Sequence, residues 1–112
     1  MKSLKMKKEF KVIADLIPNN TRVLDVGCGD GSLMDLLQKK KNIEVRGLEL
    51  DQINVQQCIH KGLPVIQGNA ETELHQFPDQ SFDYVVLSQT LQAFYNPEKV
   101  LRELLRIGKS VI

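Results

Sequence analysis

The sequence predicts an α/β fold in which an open parallel sheet lies between two layers of helices. Short apolar runs rich in β-branched residues, near 22–27, 44–49, 64–67 and 82–88, alternate with segments of helical pattern. This alternation is typical of β-α-β units. Because such crossovers are right-handed, the first strand should lie centrally, which gives the strand order 3-2-1-4-5 in a three-layer α/β/α sandwich.

The first predicted strand runs into a glycine-rich turn, and a helix follows at once. Gly27, Gly29 and Gly31 stand at this reversal, where the chain needs positive φ or a backbone without Cβ. Backbone amides and a helix N-terminus at the mouth of a sheet form a site for a nucleotide-type cofactor. The alternative interpretation is a turn that only lets the helix pack on its strand.

The spacing of the glycines favours S-adenosylmethionine (SAM) over a dinucleotide. Counting from Gly27, the sixth position is Ser32, so the Gly-x-Gly-x-x-Gly fingerprint is out of register. Asp25 would repel a bound pyrophosphate but attract the sulfonium and ammonium groups of SAM. We therefore expect SAM or its product S-adenosylhomocysteine, with NAD as the less favoured alternative. The expected contacts in this turn are Asp25, Gly27, Cys28 and Gly29.

The second predicted strand ends at Glu49, which should face the same crevice, because ligands lie outside the carboxyl ends of parallel strands. A carboxylate there can accept hydrogen bonds from both ribose hydroxyls. Leu50 and Ile53 would flank the adenine ring. An ordinary acid at a strand end is the alternative for Glu49, and Asp51 is expected to cap the next helix, near 52–60.

The ends of the third and fourth strands should complete the pocket. Asn69, followed by Ala70, carries an amide that can meet both the amino group and a ring nitrogen of adenine. Its alternative role is to form the turn after the strand. Ser88, with Gln89 and Thr90, would point toward the methionine half of the cofactor, and the alternative there is a polar loop.

Three strings resemble the MetW family of class I SAM-dependent methyltransferases, whose fold is Rossmann-like. They are LDVGCGDG at 24–31, VIQG at 65–68 and SFDYVVLSQTLQA at 81–93, and the similarity runs almost continuously over 21–112. The glycine motif alone indicates only the broad methyltransferase superfamily. The run SQTLQA at 88–93 is more specific for MetW, because many other methyltransferases have His-His where this chain has Gln92 and Ala93. The resemblance implies a role in methionine biosynthesis, beside the homoserine O-acyltransferase that MetW proteins commonly accompany.

Two departures from the family limit this transfer. Asn69 stands where the family usually has aspartate, so the cofactor affinity is expected to be about tenfold lower. The chain stops at Ile112, near the start of a fifth strand, whereas family members continue. We expect residues 1–112 to be a single SAM-binding domain that lacks the C-terminal part of the fold. Whether it transfers a methyl group or is a non-catalytic regulatory partner of the acyltransferase stays open, and so does the methyl acceptor.

Composition and charge exclude other classes of protein. The formal net charge is +1, no apolar run is long enough to span a bilayer, and the N-terminus lacks the apolar core of a signal peptide. We therefore expect a cytoplasmic protein with neither a membrane nor a nucleic acid as partner. Cys28 and Cys58 have no metal-site spacing and are expected to be free thiols.

The helices carry their own signals. In the last one, Asn96 suits the cap, Pro97 the first position and Gly108 the exit. Its predicted buried stripe is Val100, Leu101, Leu104 and Leu105. Lysines on the first helix should form a solvated face, opposite a packing face of Phe10, Val12, Ile13, Leu16 and Ile17. Lys39, Lys40 and Lys41 should complement the dipole at the end of the second helix.

Overall fold

The sheet is built around the strand that precedes the glycine turn. Residues 4–40, 42–88 and 93–112 are described by the structure, which is a computed structural model. Strand β1 (Arg22–Val26) is buried from its second residue to its last. Side chains on both of its faces are covered, as expected of a central parallel strand with helices above and below it.

The other elements follow in strict alternation around β1. In chain order they are α1 (Leu4–Leu16), which precedes β1, then α2 (Ser32–Gln38), β2 (Glu44–Glu49), α3 (Gln52–His60), β3 (Val65–Gln67), α4 (Ala70–Glu73), a 3₁₀ turn (Leu74–Gln76), β4 (Phe82–Leu87), α5 (Pro97–Ile107) and β5 (Gly108–Val111). Within the described ranges, five strands form one parallel sheet in the order β3-β2-β1-β4-β5. The predicted strand order is confirmed.

Successive side chains of β1 enter two separate apolar clusters. Val23 belongs to a cluster that includes buried residues of α1, α2 and α3. Leu24 and Val26 belong to a second cluster, with buried residues of α4, the 3₁₀ turn and α5. The predicted three-layer sandwich is therefore confirmed. None of the helices in the described ranges is long and apolar enough to cross a membrane.

Two leucines of α5 lie outside the stripe predicted for them. Val100, Leu104 and Ile107 are buried, whereas Leu101 is 38% exposed and Leu105 is 60% exposed. The prediction that both leucines are buried is wrong, because each follows a buried position by one residue and is rotated by about 100° from it. The sheet covers only the stripe defined by positions four and three residues apart.

In the first helix, too, two apolar residues that were predicted to be buried are exposed. Ala14 and Ile17 are buried, but Val12 is 60% exposed and Leu16 is 61% exposed, so their predicted place in the packing face is wrong. Phe10 and Ile13 do pack against the cluster below α1. The buried stripe therefore follows 10, 13, 14 and 17, the spacing of one helix face.

The lysines after α2 have partners that the sequence did not indicate. Lys40 Nζ donates hydrogen bonds to the carbonyl oxygens of Ala14, at 2.5 Å, and Ile17. It therefore satisfies carbonyls at the end of α1 rather than those of its own helix. Lys39 pairs with Asp35 one turn earlier, at 3.4 Å. Lys41 lies outside the described residues.

The predicted helix caps are present, but Gly108 has a different role from the one expected. Asp51 accepts hydrogen bonds from the amides of Ile53 and Asn54, and Asn96 accepts one from the amide of Lys99. Gly108 follows α5 with φ −109° and ψ 136°, which is extended backbone rather than the left-handed conformation typical of a glycine at a helix exit. A Cβ at this position would lie 2.5 Å from Val85 Cγ2. The glycine thus allows β5 to approach β4.

Gly108→Ala is expected to lower the free energy of unfolding by about 1–3 kcal/mol, because the added methyl group overpacks the contact with Val85. Urea unfolding of the purified protein measures this loss. Val85→Ala serves as the matched control, alone and in combination, since the smaller side chain makes room for the new Cβ. Strictly additive losses in the double variant would contradict this explanation.

Candidate functional site

The glycine turn after β1 has the backbone geometry that the sequence predicted. Gly27, Gly29 and Gly31 have φ values of 74°, 59° and 87°, in the region that side chains with a Cβ avoid. Gly31 is the N-cap residue of α2. The chain can therefore leave β1 and enter α2 within a few residues, at the carboxyl end of the sheet.

The amides of this turn are held by the neighbouring strand. The backbone amides of Gly27 and Cys28 donate to the carbonyl oxygen of Leu48, at 2.8 and 3.2 Å. The amide of Gly29 donates to Glu49 Oε1 at 2.8 Å. All three amides are thus engaged within the protein. What the turn offers a ligand is a close approach to the backbone at Gly27 and Gly29, which have no Cβ, rather than these donors.

Glu49 lies in the crevice of the glycine turn, as its position at the end of β2 predicted. Besides the bond from Gly29, its Oε2 accepts a hydrogen bond from the amide of Asp51 at 2.9 Å. Glu49 is only partly exposed. A carboxylate has about four lone-pair directions, so the two backbone bonds leave acceptor capacity for hydroxyl groups of a ligand.

On the other side of β1, Asp25 and Ser88 are joined by a hydrogen bond. The sequence predicted both as site residues but did not predict this contact between them. Ser88 Oγ donates to Asp25 Oδ1 at 2.6 Å, and the amide of Ser88 donates to the carbonyl oxygen of Val26. Asp25 is 1% exposed, whereas Ser88 is exposed. Because the hydroxyl proton is directed at Asp25, the Ser88 oxygen can act toward a ligand only as an acceptor. Gln89 and Thr90 lie outside the described residues.

Asn69 combines its two predicted roles only in part. Its Oδ1 accepts a hydrogen bond from the amide of Glu71 at 2.9 Å and caps α4. The side-chain oxygen therefore has a local structural role at the start of α4, which is close to the alternative expected for Asn69. The NH₂ group remains as a donor for a ligand. Ala70, the first residue of α4, is buried beside it.

A small concavity of about 40 Å³ lies at the ends of β1, β2 and β3. The residues that line it are Gly27, Leu48, Leu50, Gly68, Asn69, Ala70 and Phe94. Four of these were predicted site residues, whereas Leu48, Gly68 and Phe94 were not. The only sequence signal for Phe94 was its place in a pair of adjacent aromatic residues, Phe94 and Tyr95. A nucleoside is much larger than this volume, so it would extend over the exposed side chain of Leu50. Ile53 lines a separate depression, with Asp30 and Lys61.

A larger cleft, of about 670 Å³, lies between α1 and α2. Helices and the turns after them supply its lining, for example Phe10, Leu36 and Lys39, and no residue of a strand end contributes. The candidate functional site is the one at the strand ends despite the difference in volume, because the glycine turn and the polar groups of Glu49 and Ser88 lie there.

The two cysteines lie beneath the glycine turn as free thiols, as predicted. Their sulfur atoms are 4.0 Å apart, and Cys58 Sγ donates to the carbonyl oxygen of Gly29 at 3.3 Å. Burial raises the pKa of both thiols, and for Cys28 the negative charge of Asp25 raises the pKa further. Cys28 is 6% exposed, so its side chain packs in the core beneath the turn.

Both thiols are expected to react slowly with iodoacetamide in the folded protein at neutral pH, because burial and a raised pKa keep them protonated and the thiolate is the reactive form. Mass spectrometry after timed alkylation should find no labelled cysteine in the native protein and two in guanidinium chloride. Cys28→Ser and Cys58→Ser assign any partial reaction to one thiol. Rapid labelling of either thiol in the native state would contradict the described environment.

Solved structures with the same arrangement define the class of fold. A SAM-dependent methyltransferase from Archaeoglobus fulgidus superimposes with a TM-score of 0.82 at 23% identity, covering 93% of this chain and 47% of that one. A SAM-dependent methyltransferase, possible histamine N-methyltransferase, from Thermotoga maritima gives 0.71 at 27% identity, covering 88% and 44%. The chain therefore has the SAM-dependent methyltransferase fold.

The family follows from the sequence comparisons. The family described as methionine biosynthesis protein MetW matches residues 7–112, and the chain belongs to this family. The bifunctional methionine biosynthesis protein MetXA/MetW of Rhodopirellula baltica is 34% identical over 89% of this chain. Ajmaline N-methyltransferase of Rauvolfia serpentina is 30% identical over 91% of it. The chain is thus a methyltransferase-like protein related to methionine biosynthesis.

The matched region is a minor part of these relatives. The chain spans 17% of the length of the Rhodopirellula baltica protein and 36% of that of the Rauvolfia serpentina enzyme. It also spans less than half of the two solved structures named above.

Proposed function

We propose that the chain binds SAM and S-adenosylhomocysteine at the carboxyl ends of its central strands and acts in methionine biosynthesis. The observation that carries this proposal is the position of Glu49, whose carboxylate holds the amide of Gly29 at 2.8 Å in the glycine turn. In this proposal residues 1–112 form one SAM-binding domain.

The Ser88 and Asp25 pair suits the amino acid end of such a ligand. Ser88 Oγ is already a donor to Asp25, so it can accept a hydrogen bond from an ammonium group. The carboxylate of Asp25 is buried below Ser88. Because burial weakens screening by water, its negative charge attracts a nearby cation more strongly than an exposed carboxylate would. Gly27, Cys28 and Gly29 contribute backbone that a ligand can approach closely.

Glu49, Leu50, Asn69 and Ala70 suit the adenosine end. The acceptor capacity of Glu49 matches the two ribose hydroxyls, and such charge-assisted hydrogen bonds contribute about 1.5–3 kcal/mol. Leu50 is 64% exposed, which leaves its apolar surface free to cover one face of a purine ring. The Asn69 NH₂ group can donate to a ring nitrogen of adenine.

The activity that best agrees with the family is methyl transfer. Bound SAM supplies a methyl group that its sulfonium already activates. The residues of the crevice would align and shield that group, and alignment alone can lower a barrier by about 7–11 kcal/mol. A general base is therefore not a requirement for this activity.

A second candidate function is non-catalytic binding of SAM with docking on a homoserine O-acyltransferase. The observation that favours it is the Rhodopirellula baltica relative, whose name joins MetXA and MetW in one bifunctional protein. In this case the site would sense SAM or S-adenosylhomocysteine, and the acyltransferase would be the partner that responds. Turnover of SAM to S-adenosylhomocysteine with a homoserine derivative as acceptor distinguishes the two functions.

Calorimetric titration with SAM, S-adenosylhomocysteine and NAD in parallel tests the proposal. We expect both adenosyl compounds to bind at one site and NAD to bind much more weakly, because Asp25 lies where a pyrophosphate would approach the turn. Binding of NAD alone would overturn the cofactor assignment.

Glu49→Ala is expected to weaken S-adenosylhomocysteine binding more than Ser88→Ala does, because it removes the contacts to two ribose hydroxyls rather than one contact to the amino acid end. Titration calorimetry gives both affinities. Glu44→Gln is the control, since Glu44 pairs with Arg22 at the amino end of β2, away from the site. Urea unfolding separates binding from stability, because Glu49 also holds the turn. Equal losses of affinity would undermine the ribose assignment.

A further inference from the structure

We propose that Glu71 is a positioning residue of this site, whose carboxylate fixes the backbone before α5 so that Phe94 closes the adenine end of the crevice. The inference rests on the proposed function, and it assigns a role to a residue that touches no ligand itself.

The carboxylate of Glu71 holds two consecutive backbone amides. Its Oε1 accepts a hydrogen bond from the amide of Tyr95 and its Oε2 accepts one from the amide of Asn96, each at 3.0 Å. Hydrogen bonds to a charged acceptor are stronger than neutral ones. With both oxygens engaged, the backbone at 95–96 is fixed relative to the first turn of α4.

These bonds extend a chain of contacts that begins inside the crevice. Asn69 Oδ1 accepts from the amide of Glu71, Glu71 accepts from the amide of Asn96, and Asn96 Oδ1 accepts from the amide of Lys99. The cap of α4 and the cap of α5 are therefore joined through one side chain. A shift of either cap would change the distance between Asn69 and the start of α5.

The position of Phe94 depends on the two hydrogen bonds that Glu71 accepts from the amides of Tyr95 and Asn96, which we call the Glu71 clamp. It is 8% exposed and lines the concavity with Gly27, Asn69 and Ala70, whereas Tyr95 next to it is fully exposed. The backbone at 95 therefore separates a side chain directed into the crevice from one directed into solvent. By holding that backbone, Glu71 keeps the aromatic ring in the wall of the site.

The packing of α5 does not require Glu71. Val100, Leu104 and Ile107 bury the helix against the sheet. Near its C-terminal end, Arg106 donates hydrogen bonds to the carbonyl oxygens of Phe77, at 2.7 Å, and Leu74, at 3.2 Å. Loss of the Glu71 carboxylate should therefore release only the segment that leads into α5, and leave the helix in place.

The test measures binding and stability of Glu71→Ala and Glu71→Gln in the full chain. Glu71→Ala removes both acceptor oxygens, and we expect the affinity for S-adenosylhomocysteine to fall about tenfold. Glu71→Gln keeps one acceptor oxygen, so its loss should be smaller. Glu44→Gln, which removes one carboxylate charge at the opposite end of the sheet, should bind as the unmodified chain does.

Two further readouts separate positioning from a general structural role. Adenosine should lose the same factor as S-adenosylhomocysteine in Glu71→Ala, whereas Ser88→Ala should weaken only the ligand with an amino acid end. Hydrogen exchange at the amides of Tyr95 and Asn96 should become faster in both Glu71 variants, with the urea midpoint close to that of Glu44→Gln. This combination of results supports the proposal.

Unchanged affinity in Glu71→Ala, beside a weakened Glu49→Ala, overturns the role of Glu71 and leaves the proposed function intact. An affinity loss matched by a large drop in the urea midpoint, without faster exchange confined to 95–96, also overturns it. If the unmodified chain binds neither SAM nor S-adenosylhomocysteine, the proposed function fails, and the role of Glu71 fails with it.

Discussion

The hydrogen bonds between the glycine turn and the end of β2 are the constraint on which the site depends. The carbonyl oxygen of Leu48 and the carboxylate of Glu49 together hold the amides of three consecutive residues, Gly27 to Gly29. Gly27 and Gly29 adopt positive φ without strain because they lack a Cβ, and these hydrogen bonds select that conformation among the many open to glycine. The same contact brings the first two strand ends to one crevice.

Below this turn, close packing adds to the hydrogen-bonded ladder that sets the register of β1 and β2. Gly47 is paired with Asp25 in the sheet, and a Cβ at Gly47 would lie 2.7 Å from Cys28 Sγ and 2.6 Å from Met34 Cε. The sulfur side chains thus occupy the space that a side chain on β2 would need. The turn is supported from the sheet side by close contacts and from the α3 side by the Cys58 thiol.

The sequence predicted those features that depend on neighbours along the chain. Strand positions, the caps at Asp51 and Asn96 and the positive φ of the glycines follow from local pattern and side-chain chemistry. Helix faces were less well predicted, because a run such as Leu104-Leu105 does not reveal which leucine the sheet will cover. Leu105 and Leu16 are apolar but exposed, and only the tertiary arrangement decides this.

The site was predicted in the same uneven way. Residues at strand ends, such as Glu49 and Asn69, could be identified because parallel strands bring their carboxyl ends together. The Ser88 and Asp25 bond and the Glu71 clamp join residues 63 and 24 or 25 positions apart. No periodic pattern encodes such pairs. Phe94 was missed for the same reason, since it lines the concavity together with residues far away in sequence, such as Gly27 and Asn69.

If the crevice binds SAM as proposed, the direction of the Ser88 hydroxyl restricts which nucleosides can bind there. Because the hydroxyl proton points at Asp25, Ser88 presents an oxygen lone pair to a ligand. This lone pair repels a carboxylate and accepts a hydrogen bond from a protonated amine. A zwitterion would consequently be forced into a single orientation at this corner. A thioether nucleoside such as 5′-methylthioadenosine, which has no amine, would leave the lone pair facing water and would be held only by its sugar and base.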